Sequence, residues 1–181
     1  MFYSKLSISE LLDPMIALAD ERSLCFLGFF QSVPKQLEKL TGAKIVPGRP
    51  DPIQSVEDEL RQYVQGKLRV FRTPIRMLGS LFQQKVWLEL QKIPYGTTRT
   101  YSDIARVIEK PSAVRAVASA IGANRLAILI PCHRIIRMDG SFGGYNGGID
   151  RKKWLLSHEK DREPVVKLSH FSHTMRLALK N

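Results

Sequence analysis

Two residues of the types needed for nucleophilic chemistry stand side by side late in the chain, Cys132 and His133. A thiolate is the attacking form of cysteine, and with an ordinary thiol pKa of about 8.5 it needs help to form near neutrality. A histidine is the side chain best suited to give that help. Adjacent side chains on an extended chain point to opposite sides, so the pair is expected to communicate through a bridging water rather than by direct contact. A carboxylate should hold the far nitrogen of the imidazole. Asp103, Asp139, Asp150 and Glu159 all qualify, and spacing alone does not choose among them. Upstream, Ile128-Leu129-Ile130 forms a short apolar run that meets Pro131. Proline has no N–H and a fixed φ, so it stops a regular ladder and leaves Cys132 where the chain exits the core. The competing reading is that Cys132 is a small buried hydrophobe, as many free cysteines are.

Composition narrows what such a thiol would act on. The chain has 181 residues, enough for one full domain or two small ones with a real core. Its only cysteines are Cys25 and Cys132, so no disulfide framework is implied, and Cys25 reads as core. The histidines, His133, His158, His170 and His173, all lie far from Cys25, and no structural metal and no cofactor are expected. No apolar run reaches membrane length and the first residues do not read as a signal peptide, so a cytoplasmic, reduced protein is expected, without membrane partners. The net charge is +11, and it is uneven: residues 81–160 carry 13 basic and 6 acidic side chains, against 11 and 9 in residues 1–80. A basic excess gathered on the half that carries Cys132 points to a polyanion such as nucleic acid, the alternative being a solvated face.

The elements that must position these residues can be read from periodicity. Met15–Ala19 and the run from Leu24 to Phe30 flank a polar turn and predict a β-hairpin with a doubly buried second strand, and Phe2, Tyr3, Leu6 and Ile8 suggest a further strand. Ser32 and Pro34 predict the start of a short helix with Leu37 and Leu40, closed by Gly42. Asp51 reads as the N-cap of a helix carrying Pro52, Ile53, Val56, Leu60, Tyr63 and Val64 up to Gly66. Leu68, Val70 and Phe71 suggest a strand within a linker running from Gly66 to Gly79. Phe82, Val86, Trp87, Leu90 and Ile93 mark an amphipathic helix that stops at Pro94-Tyr95-Gly96. Thr100 and Asp103 predict a capped helix, broken at Lys110-Pro111-Ser112, and a second helix from Ala113 to Ile121 with Gly122 as its C′ residue. Two helices on a tight turn are the helix-turn-helix pattern. Arg115 projects from the second among Ala113, Val114, Ala116, Val117 and Ala118, small enough to allow close approach of a nucleic-acid backbone. Asp139-Gly140-Ser141 reads as a turn, and Phe142 to Gly148 as a glycine-rich loop lacking the Lys-Ser/Thr of a phosphate-binding loop. Asp150 is the expected N-cap of a closing helix to Glu159, and Met175, Leu177 and Leu179 suggest a short helix in the tail.

The string Pro131-Cys132-His133-Arg134 does not stand alone. With Ile93-Pro94-Tyr95-Gly96, Thr98-Arg99-Thr100-Tyr101, Arg115-Ala116-Val117, Gly122-Ala123-Asn124, Gly147-Gly148 and Trp154-Leu155-Leu156-Ser157-His158-Glu159, it resembles the O6-alkylguanine-DNA alkyltransferase family. The dense match covers residues 82–159. The resemblance implies an α+β chain with a small ribonuclease H-like α/β domain, with an antiparallel sheet, over residues 1–75. A mainly helical DNA-binding and alkyl-transfer domain with the helix-turn-helix would follow over residues 76–162, and an extension over residues 163–181. It implies direct-reversal repair of O6-methylguanine, and of O4-methylthymine, by a monomer acting once on double-stranded DNA. Cys132 would be the acceptor, His133 the water-linked base, Glu159 its orienting carboxylate and Tyr101 the proton donor to the base. Arg115 would fill the gap left by the flipped nucleotide, with Ser112, Ala116, Ser119 and Arg134 as further DNA contacts. Asn124, as the hinge before an active-site strand, would line the base pocket with Tyr101, Ile135, Tyr145, Asn146 and Lys152. Arg125 and Ala127 replace prolines common in the family, which predicts a looser pocket wall; Asn146 and Ser119 occupy variable positions, and the zinc ligands of some relatives are missing. Rival classes are a non-enzymatic sensor of alkyl damage, against which the acceptor cysteine argues, and a thiol hydrolase, which would leave the basic helix pair unexplained.

Overall fold

The expected hairpin forms because its strands are apolar at every position. β2 (Met15–Ala19) and β3 (Leu24–Gly28) pair antiparallel, with Ile16 opposite Gly28 and Leu18 opposite Phe26, and all ten residues are buried. Alternation of side chains splits them between two faces. Met15, Ala17, Ala19, Leu24 and Leu27 join the main core, whereas Ile16, Leu18, Cys25 and Phe26 pack with Leu37 on the other side. β1 (Phe2–Leu6) adds antiparallel to β2, and the two-residue β4 (Val46–Pro47) adds parallel to β1, giving the order β3-β2-β1-β4. This computed structural model describes residues 1–29 and 36–160. The expected helix start at Ser32 and Pro34, the end of the run at Phe30 and the tail helix at Met175, Leu177 and Leu179 lie outside the described residues.

Helix α1 (Gln36–Thr41) closes at Gly42, whose φ of +64° is the left-handed conformation that suits glycine. Helix α2 (Asp51–Val64) lies against the sheet through Ile53, Val56, Leu60 and Tyr63, all fully buried. Its N-cap is Pro50, so Asp51 occupies the first helical turn rather than the cap position expected for it. The strand expected at Leu68, Val70 and Phe71 does not form, and Val70 is largely exposed. The linker instead docks on β3: Leu24 N donates to Pro74 O (2.8 Å) and Arg76 N to Leu24 O (2.8 Å).

Four further helices follow. α3 (Leu81–Gln91) begins with a reciprocal capping box between Ser80 and Gln83 and buries Val86, Trp87 and Leu90. α4 (Tyr101–Val107) has the Thr100–Asp103 box anticipated above, with Thr100 Oγ1 accepting from Asp103 N (3.1 Å) and Asp103 Oδ2 accepting from Thr100 N (2.9 Å). A 3-10 turn at Pro111–Ala113 leads into α5 (Val114–Gly122). Gly122 is the last helical residue rather than a left-handed C′ residue, and Ala123 caps the helix. Trp87 Nε1 donates to Ala120 O (2.8 Å), pinning α3 to α5. α6 (Ile149–Lys160) starts one residue before Asp150, which sits in its first turn. A two-stranded parallel pair, β5 (Arg99–Thr100) with β6 (Ile135–Ile136), ties the start of α4 to the segment after Cys132. One continuous core runs from Leu6 and Leu60 to Trp87, Ile130 and Leu155.

Candidate active site

The segment from α5 to Cys132 is not a strand. It is a chain of tight turns laid along the free edge of β3. Leu27 N donates to Arg125 O (2.8 Å) and Ala127 N to Leu27 O (2.9 Å). A proline at residue 127 could not make the second bond. Arg125 Nη1 also donates to Leu78 O (2.7 Å), so the wall expected to be loose is tied down at both positions. Leu129 N then reaches back to Ala127 O (2.9 Å), closing a three-residue turn around Ile128, whose φ is +71°. A β-branched residue in that region costs roughly 1–3 kcal/mol and persists only where its surroundings enforce it. Here they do, since Ile128 and Ile130 are buried. Pro131, at φ −80° and ψ 61°, centres a second such turn closed by Cys132 N to Ile130 O (2.8 Å). Cys132, His133 and Arg134 follow as one 3-10 turn rather than an extended chain.

Cys132 is 9 % exposed, and its Sγ accepts from Asn124 Nδ2 (3.1 Å). The same amide nitrogen donates to Ile130 O (2.9 Å), and Asn124 Oδ1 accepts from Leu126 N (2.9 Å), so this one side chain braces the turn and touches the sulfur. Burial raises the thiol pKa, opposed by the Asn124 hydrogen bond and by the nearby charge of Lys152. Lys152 is fully buried, with Nζ donating to Ile135 O (2.5 Å) and Gly143 O (3.3 Å), and burial lowers its pKa.

Of the four candidate carboxylates, Glu159 is the one that meets the imidazole. Its Oε1 lies 2.9 Å from His133 Nε2. Asp103 is spent on the Thr100 cap, Asp139 on the Ser141 turn, and Asp150 sits at the start of α6. Glu159 accepts further hydrogen bonds from Arg134 Nε (2.8 Å) and Nη2 (2.9 Å), Gly96 N (3.1 Å) and Tyr63 Oη (2.8 Å). Although burial opposes its ionisation, the His133 and Arg134 hydrogen bonds and charges hold its carboxyl well below the usual range. An ionised carboxylate only accepts, so His133 carries its proton on Nε2 and presents a bare Nδ1. Burial outweighs the pull of Glu159 and lowers the His133 pKa, so the imidazole is neutral near pH 7. Nδ1 is buried with no hydrogen-bond partner among the described residues, as is the hydroxyl of Tyr145, whose ring stands edge-on to His133 at 6.4 Å. The result is a buried thiol, an uncommitted basic nitrogen and a fixed carboxylate.

Beside this pair opens a cleft of about 690 Å³ lined by Tyr101, Ser112, Val114, Arg115, Ala118, Arg137, Gly143 and Gly144. Tyr101, half-buried, begins α4; burial raises its pKa, so its phenol stays protonated and able to donate. A side chain at Gly143 would overlap that hydroxyl. Ser112, Arg115, Ala116 and Ser119 all lie on the exposed side of the 3-10 turn and α5. A second cleft, of about 510 Å³ between α3 and α4, holds none of the thiol machinery.

Comparison with known proteins settles the family. The model of the 6-O-methylguanine DNA methyltransferase DNA-binding domain matches residues 81–161. The inducible methylated-DNA–protein-cysteine methyltransferase of Bacillus subtilis is 46 % identical over 120 residues, 66 % of this chain and 67 % of that protein. The methylated-DNA–protein-cysteine methyltransferase of Mycobacterium tuberculosis is 47 % identical over 118 residues, 64 % of this chain and 72 % of the relative. The crystal structure of Mycobacterium tuberculosis OGT in complex with DNA superposes with a TM-score of 0.78 at 36 % identity, covering 91 % of this chain and 96 % of the other. The chain belongs to the methylated-DNA–protein-cysteine methyltransferase family.

Several family-based expectations change on contact with the geometry. Arg134, expected at the DNA, is only 6 % exposed and its guanidinium is committed to Glu159 and to Ile93 O (2.6 Å). The structure turns it inward as the counter-charge of the carboxylate. Ile135, expected to line the base pocket, is fully buried, and its carbonyl accepts from Lys152. Asn146 is exposed, and its Nδ2 donates to Gly122 O (2.7 Å), linking the glycine-rich loop to the end of α5. Two residues were missed. Arg137 lines the cleft, and no spacing rule singled it out. Tyr63 was read only as a core position of α2, and nothing local in the sequence marks its hydroxyl as a partner of Glu159. Among the described residues no cluster of three metal-ligating side chains occurs, and no helix is long and apolar enough to cross a membrane.

Proposed function

We propose that this methyltransferase-family chain repairs O6-methylguanine, and secondarily O4-methylthymine, in double-stranded DNA by moving the alkyl group once onto Cys132. In this reading residues 1–75 form a ribonuclease H-like domain and residues 76–162 the DNA-binding and transfer domain, working as a monomer. α4, the 3-10 turn and α5 act as a helix-turn-helix. The small exposed side chains around Arg115 approach the minor groove while Arg115 takes the place of the extruded nucleotide. Extrusion is needed because a buried thiol cannot reach O6 inside the base stack.

The chemistry then follows from the side chains. The Cys132 S–H proton passes through water to His133 Nδ1, and Glu159 stabilises the imidazolium. Cys132 Sγ attacks the alkyl carbon; the S–C bond forms as the C–O6 bond breaks, and its electron pair stays on the base. Tyr101 protonates the leaving purine at N3. The phenolate recovers a proton from the imidazolium through solvent, so the thiol proton ends on guanine. A thioether has no route back to a thiol here, which makes the transfer stoichiometric.

The observation that carries this reading is a buried Cys132 followed directly in the chain by a neutral His133 whose Nδ1 has no hydrogen-bond partner among the described residues, together with a cleft that Tyr101 and Arg115 line. Intact mass after incubation with a duplex containing O6-methylguanine tests it. One added methyl, located on Cys132 and absent from Cys132→Ser, is expected. Tight binding without a mass change would instead make the chain a damage-binding protein, and repeated turnover would point to a hydrolase.

A further inference from the structure

Glu159 carries more donors than a carboxylate can serve equally. Oε1 alone receives Tyr63 Oη (2.8 Å), His133 Nε2 (2.9 Å) and Arg134 Nη2 (2.9 Å), while Oε2 receives Arg134 Nε (2.8 Å) and Gly96 N (3.1 Å). A carboxylate has about four lone-pair sites, so five donors compete. Four of these come from the half of the chain that holds Cys132. The fifth comes from α2, 96 residues away in sequence from Glu159, and it shares the very oxygen that His133 uses.

Tyr63 is held for this position. It is fully buried, its ring stands edge-on to Tyr95 at 6.1 Å, and it lies against His158 at 5.1 Å. Its own carbonyl oxygen lies 2.7 Å from His158 Nε2, so backbone and side chain both grip α6. We propose that Tyr63 is a positioning residue for methyl transfer, its hydroxyl limiting how strongly Glu159 draws on His133 and so setting the basicity of the group that deprotonates Cys132.

The reasoning rests on the proposed alkyl transfer and on one piece of physical chemistry. Every donor on Oε1 withdraws charge from the oxygen that His133 faces. A less basic carboxylate stabilises the imidazolium less and leaves His133 neutral, with Nδ1 bare. The charged and titratable groups around His133 and Glu159 are Lys152 from α6, Arg134 and Cys132 from the 3-10 turn, Tyr145 from the glycine-rich loop and Tyr63 from α2, with Tyr95 and His158 packed against Tyr63. Of the side-chain donors on Glu159, the hydroxyl of Tyr63 is the one that can be removed without deleting a formal charge, the imidazole itself or a residue of the substrate cleft. Through it, the docking of α2 bears directly on the reactivity of the thiol.

Tyr63→Phe is the test, with Leu60→Ala, one turn earlier on α2 and equally buried, as the control for loss of packing. A hydrogen bond to a charged group is strong enough that its loss should raise the His133 titration by about half a unit to one unit. On the acid limb of the single-turnover rate this is a slowing of about 3- to 10-fold, with the plateau above it retained. Nitrogen NMR of the His133 ring, recorded without DNA, should show the same upward displacement in Tyr63→Phe and none in Leu60→Ala. An unmoved His133 midpoint in Tyr63→Phe, or an equal movement in Leu60→Ala, overturns the proposal. If the wild-type chain takes no methyl, the functional reading fails instead, while the NMR titration still judges the role of Tyr63.

Discussion

Replacing Glu159 by glutamine keeps the shape of the side chain and removes its charge, and the structure says what that should do. Glu159 is 1 % exposed and faces Arg134, which is 6 % exposed. Arg134 cannot lose its proton, so the variant leaves a buried cation without its counter-charge. Removing one partner of such a pair costs about 3–5 kcal/mol, which for a chain of this size lowers Tm by about 6–20 °C. The amide also presents donors where Tyr63, His133 and Arg134 already donate, which acts in the same direction. Glu159→Gln combined with Arg134→Met removes the orphaned cation and should recover at least about 2 kcal/mol. Urea unfolding at pH 7 measures all three proteins. Because the folded-state carboxyl is held far below its unfolded value, the unfolded chain binds more protons in acid. The Glu159 contribution is therefore complete above about pH 4.3 and lost progressively as pH falls from there toward the depressed folded-state value, so the gap between wild type and Glu159→Gln should be constant from pH 7 to about pH 5 and narrow steadily below about pH 4. A single variant that loses less than about 1 kcal/mol, or a double variant no more stable than the single, would refute the assignment of Arg134 as the inward counter-charge.

Two further outcomes separate the cleft from the thiol machinery. Gly143→Ala places a methyl group against the Tyr101 hydroxyl; transfer to Cys132 should slow by about tenfold or more while duplex affinity stays within about twofold, measured by single-turnover kinetics and anisotropy. Arg115→Ala should slow transfer from duplex DNA by about tenfold yet leave the reaction with the free O6-methylguanine base unchanged, since filling the stack matters only when a nucleotide must leave it.

The local architecture was legible from short-range signals. Met15–Ala19 and Leu24–Gly28 are apolar at every position because both faces of the hairpin are covered, and the Thr100–Asp103 box acts within one helical turn. Where such signals failed, they failed by small distances or through missing context. Asp51 is the first residue of its helix and Asp150 the second, instead of the caps, because a boundary depends on backbone angles that neighbouring elements impose. Leu68, Val70 and Phe71 looked like a strand, but the edge of β3 not paired with β2 is taken by Pro74, Arg76, Arg125 and Ala127.

By itself the sequence determined that Cys132 and His133 would be adjacent, that a proline would present them, and that basic charge would gather on their half of the chain. It also carried the motif string that marks the family. Residue types and spacing left four carboxylates of equal local standing and only the family resemblance named Glu159; the tertiary structure brings it to His133 from a helix 26 residues on. It turned Arg134 away from the DNA, since a buried carboxylate needs a counter-charge more than a surface needs one more cation. It brought Tyr63 to the same oxygen across 96 residues. Periodicity and capping report interactions within a turn or a strand; the electrostatics of a buried site depend on groups that meet only when separate elements pack.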